Sequence, residues 1–234
     1  MKQLLTAAAL LLTSHLSYAQ DELSGAWKLK GAGEPQTVRI IEDGYFMQTV
    51  FDQAGKKFIS TLGGTIDADQ QALKETIEFN TADKDNIGTT KNCTYVLKEN
   101  KQLAITCEGK TEQWERIDDG KTDLAGTWRI TGRENNGQMT TMRPGARKTL
   151  KILSGTRFQW AAINPETKEF FGTGGGTYTF ENGKYTETIT FFSRDNTRVG
   201  MSLSFDGKVD GNKWHHSGKS SKGDPISEIW SRIE

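Results

Sequence analysis

This chain repeats itself, and the repeat limits what it can fold into more than any other feature. Leu23-Ser-Gly25-Ala-Trp27-Lys-Leu29 matches Leu124-Ala-Gly126-Thr-Trp128-Arg-Ile130. Farther along, Val38-Arg-Ile-Ile41 aligns with Leu150-Lys-Ile-Leu153, Gly63-Gly-Thr65 with Gly175-Gly-Thr177, and Glu75-Thr-Ile77 with Glu187-Thr-Ile189. The ends align as Glu112-Gln-Trp114-Glu-Arg116 against Glu228-Ile-Trp230-Ser-Arg232. Many matches in one order define two modules of about 100 residues. We place them at 20–118 and 123–234, joined by the polar segment from Asp118 to Asp123.

Each module reads as eight short strands. In the second they fall near 124–132, 148–154, 156–164, 169–181, 184–193, 197–207, 213–219 and 226–234, separated by Gly, Asn, Asp, Pro or Lys-rich turns. Along 185–191, Tyr185, Glu187, Ile189 and Phe191 alternate with threonines, the signature of a strand with one apolar face. No segment has the pattern of a long amphipathic helix. Eight sequential strands are best served by closure, which removes the bare edges. The expected fold is all-β: two tandem antiparallel up-and-down eight-stranded barrels, with a β-sandwich as the rival.

In such a barrel the first and last strands meet. Arg116 would then lie over Trp27, and Arg232 over Trp128, where a cation on an indole face contributes about 1–2 kcal/mol if partly desolvated. Gly25 and Gly126 would allow close approach at the same seam. The Gly-x-Trp starts and closing arginines resemble those of the lipocalin and wider calycin superfamily. The second module also resembles a family of secreted Bacteroidetes proteins of unknown function, through Lys151-Ile-Leu-Ser-Gly-Thr-Arg-Phe-Gln-Trp160, Gly172-Thr-Gly-Gly-Gly-Thr-Tyr178, Tyr185-Thr-Glu187 and Glu228-Ile-Trp230-Ser-Arg232. The resemblance implies a lipocalin-like barrel and a ligand, and implies no reaction. The first module departs from it, with Gln48 and Leu73 where the second has Trp160 and Tyr185.

Lys2, the apolar run Leu4 to Leu12, and Ser17-Tyr-Ala19 fit a signal peptide over 1–19. No Cys stands at the cleavage point to carry a lipid anchor. We therefore expect a periplasmic or extracellular protein. Its 30 basic and 30 acidic residues balance, which argues against a nucleic-acid or membrane-surface partner. In an exported chain Cys93 and Cys107 fit a disulfide across a hairpin centred on Asn100, with two buried thiols as the alternative. No His or second Cys pair stands near them at zinc spacing, so neither metal nor cofactor is expected.

Glu187 is the candidate site residue of most interest. It shares an apolar strand face with Tyr185, and an inward carboxylate requires a partner; Arg157, Arg232, Trp160 and His216 are the candidates. Such a cluster reads either as the polar anchor of an aromatic-lined pocket or as a ladder that fixes closure. His215 and His216 point to opposite faces, so they cannot chelate one metal as a unit. Gly172 to Gly176 lacks the Gly-Lys-Ser/Thr ending of a phosphate loop and reads instead as a bent strand. The long segment from Gly132 to Arg147, with Met139 and Arg143, serves either as a lid over the barrel mouth or as a contact with the first module. The leading expectation is a non-enzymatic protein that binds a small apolar or amphipathic molecule in module two. A protein-interaction scaffold with filled barrels comes second. A hydrolase or isomerase using Glu187 and His216 comes third.

Overall fold

The structure is a computed structural model and describes residues 21–31 and 33–233. The expected signal at 1–19 lies outside the described residues. Strands β1 (Gly25–Leu29), β2 (Gln36–Glu42), β3 (Tyr45–Asp52), β4 (Lys57–Asp69), β5 (Ala72–Asn80), β6 (Thr90–Lys98), β7 (Gln102–Cys107) and β8 (Lys110–Asp118) pair in sequence and close into a barrel. The second barrel uses β9 (Gly126–Asn135), β11 (Lys148–Leu153), β12 (Arg157–Asn164), β13 (Glu169–Glu181), β14 (Lys184–Phe192), β15 (Ser202–Asp210), β16 (Lys213–Lys219) and β17 (Pro225–Arg232). It closes through antiparallel pairing of β9 with β17, so both modules are barrels and the sandwich alternative falls.

Closure is built alike in both. Arg116 lies opposite Trp27 with its guanidinium 4.0 Å from the indole centre, and Arg232 lies opposite Trp128 at 4.6 Å. Each indole N–H donates to a carbonyl four residues back, Leu23 and Leu124, at 2.9 Å. Gly126 has φ +145°, and a Cβ there would stand 2.0 Å from Arg232 Nη1. A side chain at this position would displace the arginine from its ring.

The second barrel departs from the sequence reading in two places. Between β9 and β11, a short strand β10 (Gln138–Thr141) pairs back on the outer part of β9, so half of the expected long loop is hairpin. Before β15, Asn196–Arg198 forms a turn of 3-10 helix where the strand was expected to begin.

Cys93 and Cys107 lie opposite each other across β6 and β7 and form a disulfide, with Cα atoms 4.4 Å apart. Cys93 belongs to the first barrel's core beside Leu73 and Ile105. Replacing both cysteines with alanine should lower stability by about 3 kcal/mol, since the bridge closes a loop of about 15 residues. Urea unfolding checks this, and a loss under about 0.5 kcal/mol would show that the core, not the bridge, holds the hairpin.

The barrels pack wall to wall. Ala26, Ile40, Tyr45 and Met47 of the first meet Leu150, Ile152, Ala161 and Ile163 of the second in one apolar cluster. Gln159 reaches across this layer, donating to Thr61 Oγ1 at 2.9 Å and accepting from Thr49 Oγ1 at 2.8 Å. Asp118 accepts from Ala26 N and Gly120 N, and across the seam from Gly155 N, Ser154 Oγ, Thr156 N and Thr156 Oγ1, all within 3.2 Å. Asp43 accepts from Thr127 N at 2.8 Å and from Arg232 at 2.7 Å.

Glu42 is buried in the same seam, and its Oε1 has no hydrogen-bond partner among the described residues. Burial raises its pKa from 4.5 to about 9; the charges of Asp43 and Asp118 add to this, while Arg232 opposes it. The folded state therefore holds this proton over a range where the unfolded chain has released it. The stability that depends on the proton is fully present below pH 4.5 and is lost as pH rises towards about 9. Glu42→Gln should accordingly stabilise the protein increasingly across that window. Parallel stability curves for the variant and the parent between those pH values would contradict this.

Candidate functional site

The second barrel holds an open cavity of about 630 Å³, with its mouth between β9 and the turn leading into β17. Its walls follow from strand parity. On β12, Phe158, Trp160 and Ala162 face inward, while Gln159, Ala161 and Ile163 face the first barrel. On β14, Tyr185, Glu187 and Ile189 face inward, and then the register shifts opposite Gly175 and Gly176. This bulge corrects the expected face. Phe191 turns outward to pack, tilted, on Phe51 of the first barrel with ring centres 5.0 Å apart, and Phe192 takes the inward place beside Trp160 at 5.6 Å.

The glycine run makes room for this packing. A Cβ on Gly176 would sit 1.9 Å from Thr188 O, and one on Gly174 would sit 2.8 Å from both Trp160 Nε1 and the Phe192 ring. The glycines thus allow the bulge and seat two wall side chains. Leu203, Phe205, Ile226 and Trp230 complete the apolar lining.

The floor is polar and internally paired. Glu187 Oε2 accepts from Lys151 Nζ at 3.1 Å and from Tyr185 OH at 2.9 Å. The Lys151 ammonium lies in an aromatic cage, 4.8 Å from the Tyr185 ring centre, 5.2 Å from Phe158, 5.3 Å from Trp214 and 5.8 Å from Trp230. Such contacts offset part of the cost of burying its charge. Tyr185 is fully buried, and burial, then the adjacent Glu187 charge, push its pKa well above 10, so its hydroxyl remains a donor. Glu187 Oε1 takes no hydrogen bond among the described residues and borders the cavity.

A second pair stands nearer the mouth. Arg133 Nη2 donates to Glu228 Oε1 at 2.6 Å, and Trp230 Nε1 donates to Oε2 at 3.1 Å. Burial alone would raise the Glu228 pKa, but the contacts with His216 and Arg133 outweigh it and hold the carboxylate at about 2. His216 is 4% exposed and packs against Phe205, with ring centres 4.2 Å apart. Its Nδ1 is 3.6 Å from Glu228 Oε2, beyond hydrogen-bond reach, and both ring nitrogens are buried without a partner among the described residues. Burial lowers its pKa, and the Lys151 charge acts in the same direction against the pull of Glu228 and Glu187; the ring is neutral at pH 7.

Of the residues singled out from sequence, Trp160, Glu187 and His216 line the cavity, and Tyr185 supports Glu187 from behind. No hydrogen bond joins His216 to Glu187 among the described residues. Arg157 lies elsewhere: its neighbour Phe158 points inward, so Arg157 points outward, into a cleft of about 290 Å³ between the barrels. Arg232 serves the Trp128 seam and Asp43, not Glu187. Met139 is 46% exposed on the β9–β10 hairpin, and Arg143 is exposed beyond it. The part of this segment that reaches the cavity is instead Arg133 to Asn135.

Sequence reasoning missed Lys151 and Glu228. The repeat itself held a signal for Lys151, because Arg39 occupies its place in the first module. There Arg39 pairs with Glu75 and lies 4.3 Å over Phe46, the counterpart of Phe158. The rest of that interior has diverged. Leu73 replaces Tyr185, Ile105 takes the place of His216 opposite Glu112, and the Cys93–Cys107 bridge occupies the register of Phe205 and Gly218.

The fold and site together define a tandem pair of closed antiparallel barrels, the second with an aromatic-walled, polar-floored cavity. Among solved structures the chain is similar to a lipocalin-like protein from Bacteroides uniformis ATCC 8492, at 13% identity and a TM-score of 0.34, over 48% of this chain and 100% of that one. No family model matches the sequence, and no curated protein matches it. Among the described residues no cluster of three or more His, Cys, Asp or Glu could hold a metal ion, and no helix is long and apolar enough to cross a membrane.

Proposed function

We propose that this is an exported, non-enzymatic binding protein whose second barrel holds a small apolar or amphipathic molecule. The observation that carries the reading is the cavity of about 630 Å³, walled by Trp160, Phe192, Phe158 and Trp230 and floored by Lys151 and Glu187. Apolar walls with a few convergent polar groups are the usual form of a small-molecule site. The first barrel is the structural half, its interior closed by the Arg39–Glu75 pair and the disulfide. The disulfide also supports an oxidising compartment, periplasmic or extracellular, in keeping with the signal expected at 1–19.

The neutral fluorescent probe N-phenyl-1-naphthylamine tests the proposal. It should bind saturably at one site per chain. Ala162→Trp, which fills the space beneath the mouth, should weaken that binding by about tenfold or more, equivalent to at least 1.4 kcal/mol. Probe binding that is absent, or unaffected by Ala162→Trp, would count against the second-barrel cavity as the site.

A further inference from the structure

We propose that the molecule held in the second barrel presents a neutral hydrogen-bond donor, an alcohol hydroxyl, to Glu187 Oε1. This rests on the reading of that barrel as a ligand site and adds the chemistry of the ligand's polar end.

Most polar groups at the floor are already committed. Lys151 Nζ is held by Glu187 Oε2, with Tyr185 OH at 3.4 Å and four aromatic rings around it. Both oxygens of Glu228 are taken, by Arg133 and by Trp230. The His216 nitrogens are sealed from the cavity space. The acceptor left open at the floor is Glu187 Oε1, which borders the cavity and takes no hydrogen bond among the described residues. A carboxylate oxygen only accepts, so the ligand must donate.

Charge then narrows the donor. Lys151 neutralises Glu187 at the floor, and Arg133 neutralises Glu228 nearer the mouth, so both of these carboxylates are paired. A ligand carboxylate would bring an uncompensated negative charge beside Glu187 and has no hydrogen to offer it. An ammonium would donate, but beside Glu187 it would stand against the Lys151 charge with no unpaired carboxylate at the floor to answer it. At a buried, aromatic-walled floor, either mismatch weighs more than it would in solution. A hydroxyl donates without adding charge.

The experiment is displacement of N-phenyl-1-naphthylamine by 1-decanol, decanoate, decylammonium and 1-methoxydecane, at about pH 7.5 so that both ionic ligands are charged. Decanol is expected to displace the probe at about tenfold lower concentration than any of the other three. The methyl ether carries the central comparison, because it removes the donor without changing the protein. In the double variant Lys151→Met/Glu187→Leu, decanol and its ether should fall within about threefold of each other, since a lost hydrogen bond is worth about that much or more. In Arg39→Met/Glu75→Leu, the same change in the first barrel, the preference should persist. If decanoate, decylammonium or the ether displaces the probe as well as decanol does, this proposal falls and the ligand site stands. A decanol preference that survives in the second-barrel double variant would also overturn it. Failure of the probe itself to bind would overturn both readings.

Discussion

Replacing Lys151 alone with methionine is expected to destabilise the second barrel by about 3–5 kcal/mol, because it leaves the Glu187 carboxylate buried without its counter-charge. Glu187 is 8% exposed and Lys151 5%, so water reaches the pair only from the cavity side and replaces little of the lost charge. Replacing both, as Lys151→Met/Glu187→Leu, should recover most of that loss, since a buried ion pair exchanged for well-packed apolar side chains is often neutral. Tyr185 OH loses its acceptor in the double variant, which limits the recovery by about 1–2 kcal/mol. Chemical denaturation of the parent, the single and the double variant separates these cases. Equal losses in the single and double variants would mean that Lys151 matters for its packing among the aromatic rings and not for its charge. For the same reason Glu187→Gln is a poor probe of ligand binding on its own, because it strands the lysine.

Asp118→Ala is the second large effect. Its carboxylate ties the end of the first barrel and the linker to the turn between β11 and β12 through six donors. Hydrogen bonds to a charged acceptor contribute about 1.5–3 kcal/mol singly and do not add in a cluster, so a loss of about 3–4 kcal/mol is expected. The effect should also be visible in cooperativity. With the seam weakened, calorimetry should resolve two transitions, one per barrel, where the parent is expected to show one. A single transition shifted by less than about 2 °C would show that the apolar layer around Ile40, Met47, Ile152 and Ile163 is sufficient to couple the barrels.

The fold was legible because closure leaves a trace at both ends of each repeat. Gly-x-Trp and Trp-x-Arg must meet in a meander barrel, and they do, with Arg116 and Arg232 over their indoles. The Cys93–Cys107 bridge was legible because the hairpin centre fixes which residues face each other. The site was only half legible. Strands β2 and β11 are buried on both faces, one against the barrel interior and one against the other barrel, so Leu150-Lys-Ile-Leu153 shows no alternation and Lys151 does not stand out. The bulge on β14 reverses parity at a single residue, which moved Phe191 outward and brought Phe192 in. Arg157 was placed on the wrong face of its strand for want of an anchor to set the count. The strand faces that meet, on β2–β3 and β11–β12, are repeat counterparts, but the seam carboxylates Glu42 and Asp43 carried no signal because the second module has Ser154 and Gly155 in their places.

The central claim is that the second barrel is a container and the first is its support. Native mass spectrometry of the protein purified, without detergent, from the cells that make it tests this most directly. The account predicts a 1:1 complex with a small molecule that leaves on denaturation, and loss of that molecule in Ala162→Trp. A chain recovered at its bare mass, with no saturable uptake of a neutral apolar probe, would contradict it.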